Sequence, residues 1–356
     1  MFDIYKNKKV FITGHTGFKG SWLSIWLNKI GSKVIGYALD PKTNKDNFIL
    51  TGLSKKITDY RGDIRNFNNL FKIVNKEKPE IIFHLAAQPL VIDSYKEPLY
   101  TIETNTLGTA NILEVFRKID SVKVMIIITT DKVYHNNERE WGYRECDRLG
   151  GNDIYSASKA AAEILISSYQ KSFFNNSDKK LASVRAGNVI GGGDWSDYRI
   201  VPDCIKALEN NEKIRIRNPE STRPWQHVLE PLAGYLMLGE RILESNNNDF
   251  SEAWNFGPYH TNNVSVENLV KKIICSYGRG EYSISNNFPQ INESKILFLD
   301  ISKAVRRLKW KPVLTFDETI DMTIDWYKQY KSVDVYKYCI EQIKEYERLW
   351  RLRSEN

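Results

Sequence analysis

Seven residues near the start of the chain, Gly14-His15-Thr16-Gly17-Phe18-Lys19-Gly20, restrict its possible folds more than any other stretch. They lie between a short apolar run, Val10-Phe11-Ile12-Thr13, and a segment that carries Trp22, Leu23, Ile25, Trp26, Leu27 and Ile30 at helical spacing. A strand that turns through glycines straight into a helix gathers backbone N–H groups at the helix N-terminus, where a pyrophosphate can sit. The spacing is G-x-x-G-x-x-G rather than G-x-G-x-x-G, so its weight comes from its place between strand and helix. Gly14, Thr16, Gly17, Phe18, Lys19 and Gly20 are therefore candidate dinucleotide contacts.

The alternation begun there continues. Residues 33–38, 80–85, 122–129 and 182–186 read as apolar strands, with helical patterns over 67–75, 104–118 and 154–171 between them. This predicts an α/β fold: a Rossmann-type, doubly wound parallel sheet covered on both faces. After Asn188 the pattern changes to a glycine run (Gly191-Gly192-Gly193), scattered prolines and later helices such as 317–330. Residues 1–187 are expected to form the dinucleotide-binding domain. Residues 188–356 are expected to form a smaller, mostly helical substrate lobe, with some segments returning to the main sheet.

Several function classes are disfavoured. The net charge is +7, but acidic residues are interspersed with basic ones, and the densest cluster, residues 306–311, reads as a solvated helix end. No nucleic-acid partner is expected. No run approaches the ~20 apolar residues of a membrane span, and the N-terminal residues lack the apolar core of a signal peptide. A cytoplasmic enzyme with no membrane contact is the expectation. Cys146, Cys204, Cys275 and Cys339 are widely spaced, without a Cys-x-x-Cys pair. That argues against a disulfide framework and against a metal site.

The remaining cofactor pocket is sought at strand ends. Asp40 closes the second strand, where a carboxylate can accept ribose hydroxyls and repel a 2′-phosphate, which favours NAD over NADP. An aspartate before a proline is also a common turn residue. Leu85, Ala86 and Ala87 follow the fourth strand and leave room for a cofactor. Tyr155 and Lys159 are four apart on one helical face, and a cation held near the phenol favours its phenolate. A phenolate can take a proton from a sugar hydroxyl while hydride leaves the same carbon. Thr129 and Thr130 end the preceding strand, where a hydroxyl can bond the reacting oxygen.

The glycine turn, His84–Gln88, Thr130 and the Tyr155/Lys159 pair together resemble the extended short-chain dehydrogenase/reductase superfamily over nearly the whole chain. Longer runs resemble one family within it, the CDP-glucose 4,6-dehydratases. These are residues 14–23, Asp131-Lys132-Val133-Tyr134, Arg185 to Trp195, Arg223 to Leu232 and Trp254 to Pro258. The resemblance implies an NAD enzyme acting on CDP-glucose in three stages: oxidation at C4, loss of water across C5 and C6, and return of the hydride to C6. It implies Thr130, Asp131, Lys132, Tyr155 and Lys159 as catalytic residues, with Asp131 as the acid for the C6 oxygen and Lys132 as the base at C5. Asp63, Ile64, Thr104 and Thr129 join the cofactor contacts. Gln88, Tyr95, Asn188, Arg199, Arg217 and Arg223 are assigned to the nucleotide sugar, although Arg217 equally fits an exposed strand position.

His227 reads as structural, because Tyr155 already supplies the base. Trp195, Trp225 and Trp254 read as lobe packing, with stacking on the cytosine the alternative. Two positions depart from the family: Val133 replaces cysteine and Ile154 replaces proline. Competing readings are a 4-epimerase, an inverting UDP-N-acetylglucosamine dehydratase and a non-catalytic dinucleotide sensor. A 4-epimerase would need no acid/base pair after Thr130, and a sensor would tend to lose the tyrosine. Relatives associate through a four-helix bundle, and Ala157, Ala160, Ala161 and Ala162 would permit such packing, so a homodimer or homotetramer is expected.

Overall fold

The computed structural model describes residues 1–245, 247–259, 263–284 and 296–354. Seven strands form a wholly parallel sheet: β1 (Lys9–Thr13), β2 (Lys33–Ala38), β3 (Thr58–Arg61), β4 (Ile81–His84), β5 (Val124–Ile128), β6 (Lys180–Arg185) and, far along the chain, β11 (Ala253–Asn255). Their spatial order is β3-β2-β1-β4-β5-β6 with β11 at the outer edge. Val10, Ile12, Val34, Ile81, Phe83, Val124 and Ile126 face one core, while Phe11, Ile35, Ile82, Met125 and Ile127 face the other. Both faces are apolar because helices cover both, as parallel sheets require. Each fully buried aliphatic side chain contributes about 1.5–3 kcal/mol.

The chain leaves β1 toward β2 on one side and returns at β4 on the other. Where the direction reverses, a crevice opens beyond the carboxyl ends of the strands. His84 fastens this point: Nδ1 lies 2.7 Å from Thr13 Oγ1 and Nε2 lies 3.2 Å from Thr109 Oγ1. Burial brings its pKa down to about 3, so the ring is a neutral hydrogen-bonding strut.

Two differences from the sequence-based expectations concern the site. The helix expected from residue 104 already begins at Pro98, whose fixed φ suits a first helical turn. It runs through a π turn, Glu103–Leu107, into Gly108–Lys118. Such turns concentrate at functional sites, and this one carries Thr104. The third strand, Thr-Asp-Tyr-Arg, is polar because it is a partly exposed sheet edge.

Residues beyond 187 do two jobs. Helix Leu229–Glu244 packs on β5, and helix Val335–Ser354 packs on the glycine-turn helix Phe18–Ile30. There Glu347 accepts from Trp26 Nε1 at 3.0 Å and pairs with Lys29 at 2.7 Å. Glu230 is buried on the first of these helices and accepts the N–H groups of Val313 and Leu314 and the Tyr346 hydroxyl. The rest forms a lobe of helices Ile200–Glu209, Val266–Tyr277 and Phe316–Gln329 with three small strand pairs. These pairs are β7 (Val189–Ile190) with β10 (Gln226–His227), β9 (Thr222–Pro224) with β12 (Asn263–Ser265), and β8 (Ile214–Ile216) with β13 (Tyr282–Ile284). Among the described residues no helix is long and apolar enough to cross a membrane, and all four cysteines are free thiols.

Candidate active site

One cleft of about 1570 Å³ lies between the sheet's carboxyl ends and the lobe. Every residue singled out from the sequence as a site residue lines it. Among them the glycine turn is the tightest element. Gly14 has φ +76°, and a Cβ there would lie 2.7 Å from Ala86 N; a Cβ on Gly20 would lie 2.1 Å from Gly14 O. Helix Phe18–Ile30 starts at Gly17 with no side chain capping it, so its first N–H groups are open to an anion. Thr104 Oγ1 is buried in the same half of the cleft without a hydrogen-bond partner. A bare-glycine cradle, an uncapped helix start and an orphaned hydroxyl are features that fit a dinucleotide.

At the far end of this half, Asp40 is largely exposed and lies 3.2 Å from Arg61 Nε. Asp63 is gripped by Arg65 through both carboxylate oxygens, which holds its pKa below the usual value. Ile64, Leu85, Ala86, Ala87 and Thr129 complete the wall.

At the centre, Thr130 caps a single turn, Asp131–Val133, by accepting from Lys132 N. Its hydroxyl donates to Asp131 Oδ1 at 2.9 Å, while Asp131 Oδ2 is buried with no partner among the described residues. That carboxyl lies flat on Gly187, where a Cβ would come within 1.9 Å of Oδ2. Lys132 lines the cleft beside it. Tyr155 opens helix Ile154–Tyr169, whose start is fixed by Asp153 accepting from Ser156 N and Oγ. Burial pushes the Tyr155 phenol up to about 12, against hydrogen bonding with Thr130 and the charge of Arg199.

Lys159 differs from expectation. Its ammonium donates to Ile128 O at 3.4 Å. The spacing puts both side chains on one face, but the lysine stem reaches toward the end of β5. Burial brings its pKa down to about 8, against the pull of Glu163. Lys19, on the glycine turn, is also brought to about 8, by burial and then by the charge of Arg199.

Behind these residues lies a network the motifs did not reveal. Glu163, one turn after Lys159, accepts from Nε and Nη2 of Arg185, from Thr129 Oγ1 and from Ser183 Oγ. Arg185 continues to Tyr134, which donates to Asn255 on β11. The legible signal was an acid at i+4 from the lysine on the same helical face.

Opposite the glycine turn, Asn188, Arg199, Arg217 and Arg223 line the lobe side. Asn188 Nδ2 is buried without a partner, and Arg199 pairs with Asp194 at 2.7 Å. Gln88 lines the cleft, but its amide is spent on Leu90 and Thr101. Tyr95 stands at the exposed rim. Trp195 and Trp225 are buried at the wall, whereas Trp254 packs inside, away from the cleft. His227 is wholly buried outside the cleft, and burial holds it neutral with a pKa of about 3.

Comparison with known proteins gives the family. The profile of the GDP-mannose 4,6 dehydratase family matches residues 11–323. A CDP-glucose 4,6-dehydratase from Salmonella typhimurium is 45% identical over 92% of this chain and 92% of its own. A dTDP-D-glucose 4,6-dehydratase from Dictyostelium discoideum is 33% identical over 75% of this chain and 62% of its own. Among solved structures, a UDP-glucose 4-epimerase from Stenotrophomonas maltophila superposes with a TM-score of 0.79 at 18% identity, covering 91% of this chain and 99% of that one. A dTDP-glucose 4,6-dehydratase from Bacillus anthracis, in complex with NAD, superposes at 0.74 with 20% identity, covering 90% and 97%. With a glycine turn, a Thr-Asp-Lys turn and a Tyr–Lys helix converging on one cleft, and a family profile matching from β1 into the helix Phe316–Gln329, the chain belongs to the GDP-mannose 4,6 dehydratase family.

Proposed function

We propose that this chain converts CDP-D-glucose into CDP-4-keto-6-deoxy-D-glucose and water, with NAD as a resident, regenerated cofactor. The observation that carries this reading is the convergence of Tyr155 and Thr130 with the Asp131–Lys132 pair in one cleft, opposite a glycine turn shaped for a dinucleotide. The 45% identity to a CDP-glucose 4,6-dehydratase supports the choice of substrate. Gly14 to Gly20, Thr104 and Lys159 would hold NAD, which when bound supplies hydride acceptance from C4 and hydride return to C6.

The side chains do the proton work. Tyr155, as phenolate, accepts the C4 hydroxyl proton, and the Thr130 hydroxyl bonds the same oxygen. Before the ligands bind, the phenol stands near 12 with Thr130 and the charge of Arg199 already opposing burial, so the further fall to phenolate accompanies ligand binding. The 4-ketone so formed acidifies the C5 proton. Lys132, as neutral amine, removes that proton while Asp131, as acid, protonates the departing C6 oxygen, and water leaves. As hydride reaches C6, the Lys132 ammonium gives its proton back to C5. Asp131 Oδ2, buried and unpartnered, stands open to receive the C6 hydroxyl.

The division of labour follows the chain: residues 1–187 carry the cofactor and the proton chemistry, and residues 188–356 hold the nucleotide. Arg199, Arg217 and Arg223 would meet the pyrophosphate and base, and Asn188 the sugar side. A homodimer through the helices at Pro98–Lys118 and Ile154–Tyr169 accompanies this reading. It is supported by Leu99 and Ile164, exposed at 72% and 58% on those helices. The alanines expected at that face are not all there, since Ala160 and Ala162 are buried within the chain itself.

The test is incubation of the purified protein with CDP-glucose, followed by measurement of the alkali-induced absorbance of a 4-keto sugar. Product is expected. Turnover of dTDP- or UDP-glucose but not CDP-glucose would overturn the substrate and leave the chemistry standing.

A further inference from the structure

The lobe side of the cleft carries three carboxylates near its outer end, and they are not equivalent. Asp194 is paired with Arg199, and Asp197 is paired with Lys206 out in solvent. Asp203 is half-buried, lines the cleft, and forms no ion pair among the described residues. Facing it are the charges of Lys206, Arg217 and Asp197 and the backbone N–H of Tyr198. Burial raises its pKa to about 6, so near neutral pH it is chiefly a carboxylate held at a cost.

Its position along the substrate path is defined by Arg199. That arginine caps helix Ile200–Glu209 and receives the Asp203 N–H on its carbonyl at 2.9 Å. Asp203 therefore lies one turn along the helix from it, about 6 Å along the axis. With the hexose at Tyr155 and Asp131 and the pyrophosphate at Arg199, the groups that follow are the ribose and then the base. Arg215 on strand β8 and Arg217 just after it also line the cleft, and the charge of Arg217 reaches Asp203.

We propose that Asp203 reads the base: its carboxylate accepts the exocyclic amino hydrogens at C4 of a cytosine, selecting a cytidine over a uridine or thymidine diphosphate sugar. The inference rests on the nucleotide-sugar dehydratase reading above. Cytosine presents an amino donor beside two acceptors, N3 and O2, and a carboxylate next to a guanidinium matches that order. Uracil and thymine present O4 at the same place, and two acceptors facing each other in a half-buried site repel. The competing explanation is that an acid in the first helical turn merely complements the helix N-terminus.

The experiment titrates CDP and UDP separately into the NAD-loaded wild type and into Asp203→Asn, by calorimetry, with thermal melting of both proteins alongside. The wild type is expected to bind CDP about tenfold or more tighter than UDP, the discrimination one good base contact provides. In Asp203→Asn, which can turn an amide donor toward O4, the ratio should collapse to within about threefold, chiefly by gain of UDP binding. If the wild type prefers CDP and the variant keeps that preference, whatever its melting temperature, Asp203 does not read the base and the substrate assignment survives. If the wild type itself binds both alike, the cytidine assignment falls together with this role.

Discussion

Two buried carboxylates lie on either side of the Thr129–Thr130 step and are held in opposite ways. Glu163 has both oxygens bonded, by Arg185, Thr129 and Ser183, and these partners keep its pKa low although burial opposes them. Asp131 has one oxygen on Thr130 and the other on nothing. A fully satisfied buried charge fixes geometry; a buried group left open marks where a ligand completes the hydrogen bonding. The strand end between them is thus rigid behind and receptive in front.

The comparison can be broken from either side. In front, Tyr155→Phe should lower turnover by up to about 10⁴-fold, the upper range for a lost acid/base group, without moving the melting temperature. Lys132→Ala should block dehydration yet still oxidise C4, read as the absorbance of bound NADH, so full dehydratase activity in that variant would remove lysine from the elimination step. Behind, Glu163→Ala leaves a buried guanidinium unpaired and should cost about 3–5 kcal/mol in a denaturant titration. A wild-type midpoint for that variant would mean the rear network is not structural.

A smaller effect is expected at the contact between Gly187 and Asp131. A methyl at 187 must push the carboxyl aside, and a displacement of that kind costs on the order of 100-fold in turnover. C4 oxidation, read as the absorbance of bound NADH, should persist in Gly187→Ala. In an Asp131→Ala background the same methyl should do nothing more, because the atoms it would strike are gone; equal losses in both backgrounds would refute the contact as the cause.

The smallest effect lies away from the cleft, at Glu230. Burial raises its pKa to about 7, against the two N–H groups and Tyr346 that bond it. A folded pKa above the unfolded one means its contribution is full below about pH 4.5 and lost as pH rises through 7. Glu230→Gln should therefore flatten the decline in stability between those values, by about 3 kcal/mol. An unchanged slope would place the titration elsewhere.

The central strands were legible because they are apolar on both faces, and the cleft residues because turn, strand-end and helix motifs carry them. What the sequence withheld was direction and contact. Tyr155 and Lys159 share a helical face, yet nothing in the spacing tells that the ammonium reaches Ile128 O. Gly187 stood in a recognisable run, but its reason is a carboxylate 56 positions earlier, and only the folded strand ends bring the two together. The helix start at Pro98 was hidden because a π turn breaks the 3.6-residue period on which the reading relied. Strand β3 carries little apolar surface, so the sequence placed a third strand before Asp63 without giving its bounds.

The contact between Glu347 and the glycine-turn helix has a consequence for how the chain is made. Trp26 and its carboxylate partner are 321 positions apart, so the first helix waits for almost the last one. While the chain is still being synthesised, Trp26 and Lys29 remain without that cover even after every cleft-lining segment has emerged. A shortened carboxyl end should be felt at the opposite end of the sequence, as a loosened nucleotide turn and a protein that needs chaperone help to hold its cofactor.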